Sequence, residues 1–103
     1  MTSFVFHDGK WTEGDPPLLT AMSHAVWLSS IVFDGARSFE GVTPDLALHC
    51  ERAVNSCRAF AMNPTLSTHE MVEIALDGVA KFPSGAELYI RPMFWAQEGW
   101  IAP

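Results

Sequence analysis

Cationic side chains are scarce in this sequence. Six Lys+Arg stand against twelve Asp+Glu in 103 residues, a net charge of −6. So few scattered cations grip a polyphosphate poorly, which argues against nucleic acid as a partner. Long apolar runs are missing as well, and nothing approaches the roughly 18–20 residues of a transmembrane helix, so no membrane partner is expected. The N-terminal stretch carries Asp8, Glu13 and Asp15 with neither a basic n-region nor an apolar h-region. No secretory signal is expected there, and the expected compartment is the cytoplasm. Cysteine is limited to Cys50 and Cys57. They fall two turns apart in one predicted helix, ~10 Å between Cα atoms. A disulfide requires about 4.4–6.8 Å, so both are expected to be reduced and buried, as suits the cytoplasm.

Charge of either sign is also low, at 17% of the chain, against about a quarter in ordinary globular domains. Apolar residues reach 49% and aromatics 12%, ample for one folded domain and incompatible with disorder as the overall state. A domain this small has a high surface-to-volume ratio and needs more polar cover, not less. The shortage therefore predicts an apolar face covered by a partner subunit, a second domain, or both.

The pattern along the chain is mixed. Ser3–His7, Asp8-Gly9 and Lys10–Thr12 read as a strand, a tight turn and a returning strand, because both turn residues tolerate positive φ. Gly14-Asp15-Pro16-Pro17 is a loop. Ser23 is placed to cap a short helix through His24–Leu28 that stops near Asp34-Gly35. Arg37–Val42 alternates as a strand, with Phe39 and Gly41 on one face and Glu40 on the other. From about His49 to Met62, Ala53, Val54, Cys57, Phe60 and Ala61 form an apolar helical stripe closed by Asn63-Pro64. Ser67-Thr68-His69-Glu70 is a capping box opening a second helix with Met71, Ile74, Ala75, Val79 and Phe82 inward. Glu87–Trp95 is a strand in which Pro92 implies an edge or a bulge. The expected class is α+β, with helices packed on one face of a mostly antiparallel sheet.

Generic site motifs are absent. Gly35 and Gly41 make no dinucleotide fingerprint, and no phosphate-binding Gly-Lys-Ser/Thr loop exists. His7, His24, His49 and His69 are far apart and the cysteines lack zinc spacing, so no metal is expected. No serine sits in a nucleophile elbow. The only lysines, Lys10 beside the turn and Lys81 at a helix end, look solvated rather than primed for covalent chemistry.

Three segments in order are more informative. Gly35-Ala36-Arg37-Ser38-Phe39-Glu40-Gly41, His49-Cys50-Glu51-Arg52-Ala53-Val54-Asn55-Ser56 and Leu88-Tyr89-Ile90-Arg91-Pro92 together resemble class IV (fold type IV) pyridoxal-phosphate aminotransferases, above all the branched-chain ones. The opening strand with Trp11 after an Asp-Gly turn matches too. The resemblance implies that residues 1–103 form the N-terminal small domain of a homodimeric enzyme. The cofactor lysine, the acid at the pyridine nitrogen and part of the phosphate cradle would then lie in a larger domain beyond Trp100–Pro103. No catalytic residue is therefore expected here, and the chain alone should be inactive.

The resemblance also assigns roles. Arg52 is at the position that contacts the cofactor phosphate, where a guanidinium offers paired donors to a dianion. His49 is expected to pack the helix start. Phe39 and Gly41 match the lining of the substrate side-chain pocket, Tyr89 approaches the α-carboxylate, and Arg91 meets the side-chain carboxylate of glutamate or 2-oxoglutarate. Amino-acid and 2-oxo-acid substrates follow, the amino acid being branched-chain or otherwise apolar. One departure stands out: Phe33 and Asp34 occupy the places of a family His-Tyr, which opens the range to D-amino acids or amines. Two other readings keep the fold: an aminodeoxychorismate lyase, which needs more cations in the pocket, and a non-catalytic binding or assembly domain.

Overall fold

The computed structural model describes residues 2–98; the chain end named above, residues 99–103, lies outside them. The first hairpin forms as expected from β1 (Phe4–His7) and β2 (Lys10–Glu13), with Phe4 opposite Glu13 and His7 opposite Lys10. Asp8 and Gly9 both adopt positive φ, 52° and 78°, so the turn twists with its strands.

Helix α1 (His24–Leu28) is shorter than expected. It stops at Ser29, a left-handed cap with φ 56°, and the chain leaves directly into strand β3 (Ile31–Phe33) rather than running on toward Asp34-Gly35. Ser23 does not cap it with its side chain. The Ser23 hydroxyl instead accepts from the Thr20 N–H and from Gln97 Nε2, 2.9 Å each. The first helical N–H groups, of His24 and Ala25, donate to the carbonyls of Gln97 and Ala96.

The expected single sheet is three two-stranded antiparallel ladders. β3 pairs with β6 (Met93–Trp95), and β4 (Ala36–Ser38) pairs with β5 (Leu88–Ile90). Both pairs keep one register, which sets Asp34 opposite Pro92 and Gly35 opposite Arg91. Asp34 N–H donates to the Pro92 carbonyl at 3.0 Å, and Pro92 has no N–H to return. The long strand expected over Glu87–Trp95 is thus split where Pro92 leaves the ladder one donor short opposite Asp34, with no inserted residue. We call these four strands the ribbon. Pleat parity gives it two faces: Asp34, Ala36, Ser38 and Phe94 are buried, whereas Phe33, Arg37, Tyr89 and Arg91 are exposed.

Helix α2 (Leu46–Ala59) lies between the ribbon and α3 (Thr68–Val79). Leu46, Cys50, Ala53, Val54 and Cys57 are its buried residues, joined in one core by Ala36, Met71 and Phe94. Small side chains at Cys50, Ala53 and Cys57 let the neighbours come close. Both cysteines are free and buried, and burial pushes each thiol pKa up, which keeps them unreactive. α2 ends earlier than expected, in a Schellman arrangement: Ala61 N–H donates to the Arg58 carbonyl and Met62 N–H to that of Cys57. The left-handed residue is Ala61, φ 59°, where glycine is usual, so Phe60 and Ala61 fall outside the stripe and are exposed. The capping box opening α3 forms as expected, Ser67 Oγ accepting from Glu70 N–H and Glu70 Oε1 from Ser67 N–H.

The hairpin docks on the end of α3. Phe4 meets Phe82 edge-on at 5.2 Å, and the Trp11 ring covers the buried Gly78, where an added Cβ would stand 2.5 Å from ring carbon Cη2. Gly78→Val is expected to cost about 1–3 kcal/mol by overpacking. Thermal unfolding followed by tryptophan fluorescence checks this, and an unchanged midpoint would mean that Trp11 does not rest on α3.

Candidate functional site

Asp34 is the polar centre of the ribbon's inner face, with only 9% of its side chain exposed. Its Oδ2 accepts from Arg52 Nε at 2.8 Å, and its Oδ1 accepts from Arg52 Nη2 at 3.0 Å and from the Gly35 N–H at 3.0 Å. His49 Nδ1 lies 2.7 Å from the same Oδ1; an ionised carboxylate only accepts, so Nδ1 carries the proton. The Arg52 hydrogen bond is the main cause holding the Asp34 carboxyl below its usual range, against burial, with His49 and the Gly35 amide adding to it. Asp34 in turn raises the Arg52 pKa. His49 and Arg52 sit one turn apart on α2, which brings both to one acid.

Arg52 itself stays open, with 68% of its side chain exposed. The carboxylate takes the Nε and one Nη2 proton side-on. A guanidinium has five N–H donors in a fixed fork, so the end bearing Nη1 and the remaining Nη2 proton faces outward. This donor set fits a phosphate.

Tyr89 and Arg91 are on the other face of the ribbon. Arg91 Nε donates to Tyr89 Oη at 3.4 Å, and its guanidinium lies 5.1 Å from the Tyr89 ring centre and 5.3 Å from that of Phe33. Gly35 makes room for this cluster: a Cβ there would stand 3.0 Å from Tyr89 Cε1 and Oη. Arg37 is exposed directly across from Tyr89, a second cation on this face.

Phe39 and Gly41 do not share a strand face as expected. Strand β4 ends at Ser38, and Glu40-Gly41 is a tight turn with φ 51° and 77°, closed by paired hydrogen bonds between Phe39 and Val42. Phe39 is half-buried at the end of β4, while Gly41 borders an open depression of about 350 Å³ with Ser38, Leu76, Phe82 and Leu88. The fold thus joins Arg52 to Asp34 and His49, joins Tyr89 to Arg91, and leaves the two groups on opposite ribbon faces. Both lysines are exposed. Lys81 Nζ lies 5.9 and 5.8 Å from the Phe4 and Trp11 rings, at the hairpin. Among the described residues no cluster of His, Cys, Asp or Glu could hold a metal ion, and no helix is long and apolar enough to cross a membrane.

The use made of Asp34 goes beyond the sequence expectation, in which it stands only as a departure from the resemblance. Parity was the available signal, since Asp34 alternates with Ala36 and Ser38 toward α2.

The pattern of the family described as amino-transferase class IV matches residues 31–102. The chain belongs to this family. As a class IV aminotransferase chain it is 31% identical over 74 residues to a probable branched-chain-amino-acid aminotransferase of Rickettsia felis, covering 72% of this chain and 25% of that protein. An aminotransferase from Brucella abortus, solved bound to the co-factor PLP, is 49% identical and superposes with a TM-score of 0.93 over 96% of this chain and 35% of that one. The branched-chain aminotransferase of the thermophilic archaeon Thermoproteus uzoniensis, solved with norvaline, shares the fold, with a TM-score of 0.84 at 22% identity over 99% of this chain and 36% of that one. The chain therefore spans a quarter to about a third of the length of these relatives.

Proposed function

We propose that residues 1–103 are the N-terminal small domain of a pyridoxal-phosphate-dependent aminotransferase that moves an amino group between an apolar amino acid, branched-chain or similar, and 2-oxoglutarate. The observation that carries this reading is the orientation of Arg52, gripped side-on by Asp34 with its free donors outward, in a class IV chain. The bound cofactor supplies the electron sink for amino transfer. Arg52 holds its phosphate. Tyr89 faces the α-carboxylate, Arg91 the second carboxylate of the dicarboxylic partner, and Phe39 and Gly41 border the side-chain pocket. A transaminase accepts a neutral and a dicarboxylic substrate in turn, so a cation at the pocket rim has a purpose.

The exposed apolar residues Met22, Val26, Trp27 and Leu28 around α1 support burial against a second domain or the partner subunit of a homodimer. Cytoplasmic residence fits the free thiols. One observation favours a shifted substrate range. Asp34 turns inward to Arg52 and supplies no apolar wall where the resemblance to branched-chain enzymes implies a tyrosine, so D-amino-acid or amine transamination is the second reading.

Borohydride reduction of the complete protein with pyridoxal phosphate, followed by peptide mapping, tests the domain assignment. The label is expected on a lysine outside residues 1–103, and the 103-residue chain alone should take none. A specific adduct on Lys10 or Lys81 would overturn the reading.

A further inference from the structure

The geometry points to Asp34 as the positioning residue for the phosphate-binding arginine: its buried carboxylate fixes the Arg52 fork so that the end-on donor edge is presented to the cofactor's phosphate. This rests on the phosphate role proposed for Arg52.

Stability alone does not explain a carboxylate at this place. Burying one carries a desolvation penalty that its partners repay only with good geometry, and an apolar or neutral residue commonly serves packing as well. Arg52 is mostly exposed, and ion pairs reaching solvent add little stability. What the carboxylate does that a neutral side chain cannot is take Nε–H and Nη2–H together, at 2.8 and 3.0 Å. That removes the rotamer freedom an exposed arginine otherwise keeps. The carboxylate is itself pinned from two further directions, by His49 Nδ1–H and the Gly35 amide, so the arginine is anchored to ribbon and helix at once. The cost is a negative charge beside the site of a dianion. Asp34 therefore helps phosphate binding only through Arg52 and opposes it otherwise.

That opposition makes the idea testable by a sign. In the complete protein, the dissociation constant of pyridoxal phosphate is measured for the wild type, Asp34→Asn, Arg52→Ala and the double variant. With Arg52 present, Asp34→Asn is expected to weaken binding ~10-fold, because a charge-assisted grip is lost. With Arg52 already alanine, the same change is expected to strengthen binding, about 3-fold or more, by removing an uncompensated like charge. A merely structural Asp34 gives a loss in both backgrounds, which overturns the inference, as does no effect in the first. If Arg52→Ala itself leaves the constant unchanged, the phosphate role of Arg52 has failed, a distinct result. Arg52→Lys covers the case in which Asp34→Asn does not fold. An ammonium keeps the charge but cannot take the carboxylate side-on and offer a second edge, so its affinity should stay within ~3-fold of Arg52→Ala. Recovery to wild-type affinity would mean that charge alone suffices and would overturn the positioning role.

Discussion

Replacing Arg52 with alanine is expected to raise the dissociation constant for pyridoxal phosphate roughly 10- to 150-fold in the complete protein, the range for a lost charge-assisted contact. Two effects act in the same direction. The phosphate loses paired donors, and Asp34 keeps its carboxylate with only His49 and the Gly35 amide as partners, a buried negative charge no longer offset by a guanidinium. The chemical step with saturating cofactor should suffer less than retention, because the role proposed for Arg52 is toward the phosphate and not the reacting atoms. Equilibrium titration of the apo-protein measures the constant directly. An unchanged value would leave Arg52 as no more than the solvent-facing partner of Asp34.

Arg91→Gln should separate the two halves of transamination. The guanidinium is exposed on the outer ribbon face, steadied by the Phe33 and Tyr89 rings and by the Tyr89 hydroxyl, and such stacking preserves its direction without neutralising its charge. If it receives the second carboxylate of the dicarboxylic partner, the Michaelis constant for 2-oxoglutarate should rise ~10-fold or more. That for an apolar amino donor should move far less, since it offers no second carboxylate. Single-turnover measurements on each half-reaction distinguish the two. Equal losses in both halves would assign Arg91 to the fold, and an unchanged dicarboxylate half-reaction would remove it from the pocket.

Much of this architecture was legible because local chemistry and tertiary context agree. The Asp8-Gly9 turn, the Ser67–Glu70 capping box and the Ala53, Val54 and Cys57 part of the helical stripe depend on neighbours close in sequence. What was not legible depends on residues doing unusual work. Ser29 and Ala61 take left-handed caps that glycine or asparagine would have signalled. Glu40-Gly41 turns where the alternation of Arg37–Val42 suggests continued strand, because Glu40 adopts positive φ beside a glycine that permits it. The split at Pro92 follows from a missing N–H, but the intact register across it is a matter of pairing with Ile31–Ser38, which lies far away in sequence. The three segments in order singled out Arg52, Tyr89 and Arg91 as candidates. The carboxylate that holds Arg52 was visible only as a departure from the resemblance, since the contact spans eighteen positions and requires the fold.

The most direct measurement is a crystal structure of the complete protein with the reduced phosphopyridoxyl adduct of glutamate. Arg52 Nη1 and Nη2 are expected within hydrogen-bonding distance of the phosphate while Nε stays on Asp34, and Arg91 against the side-chain carboxylate of the glutamate. A phosphate held entirely by residues outside 1–103, with Arg52 turned to solvent, would contradict it.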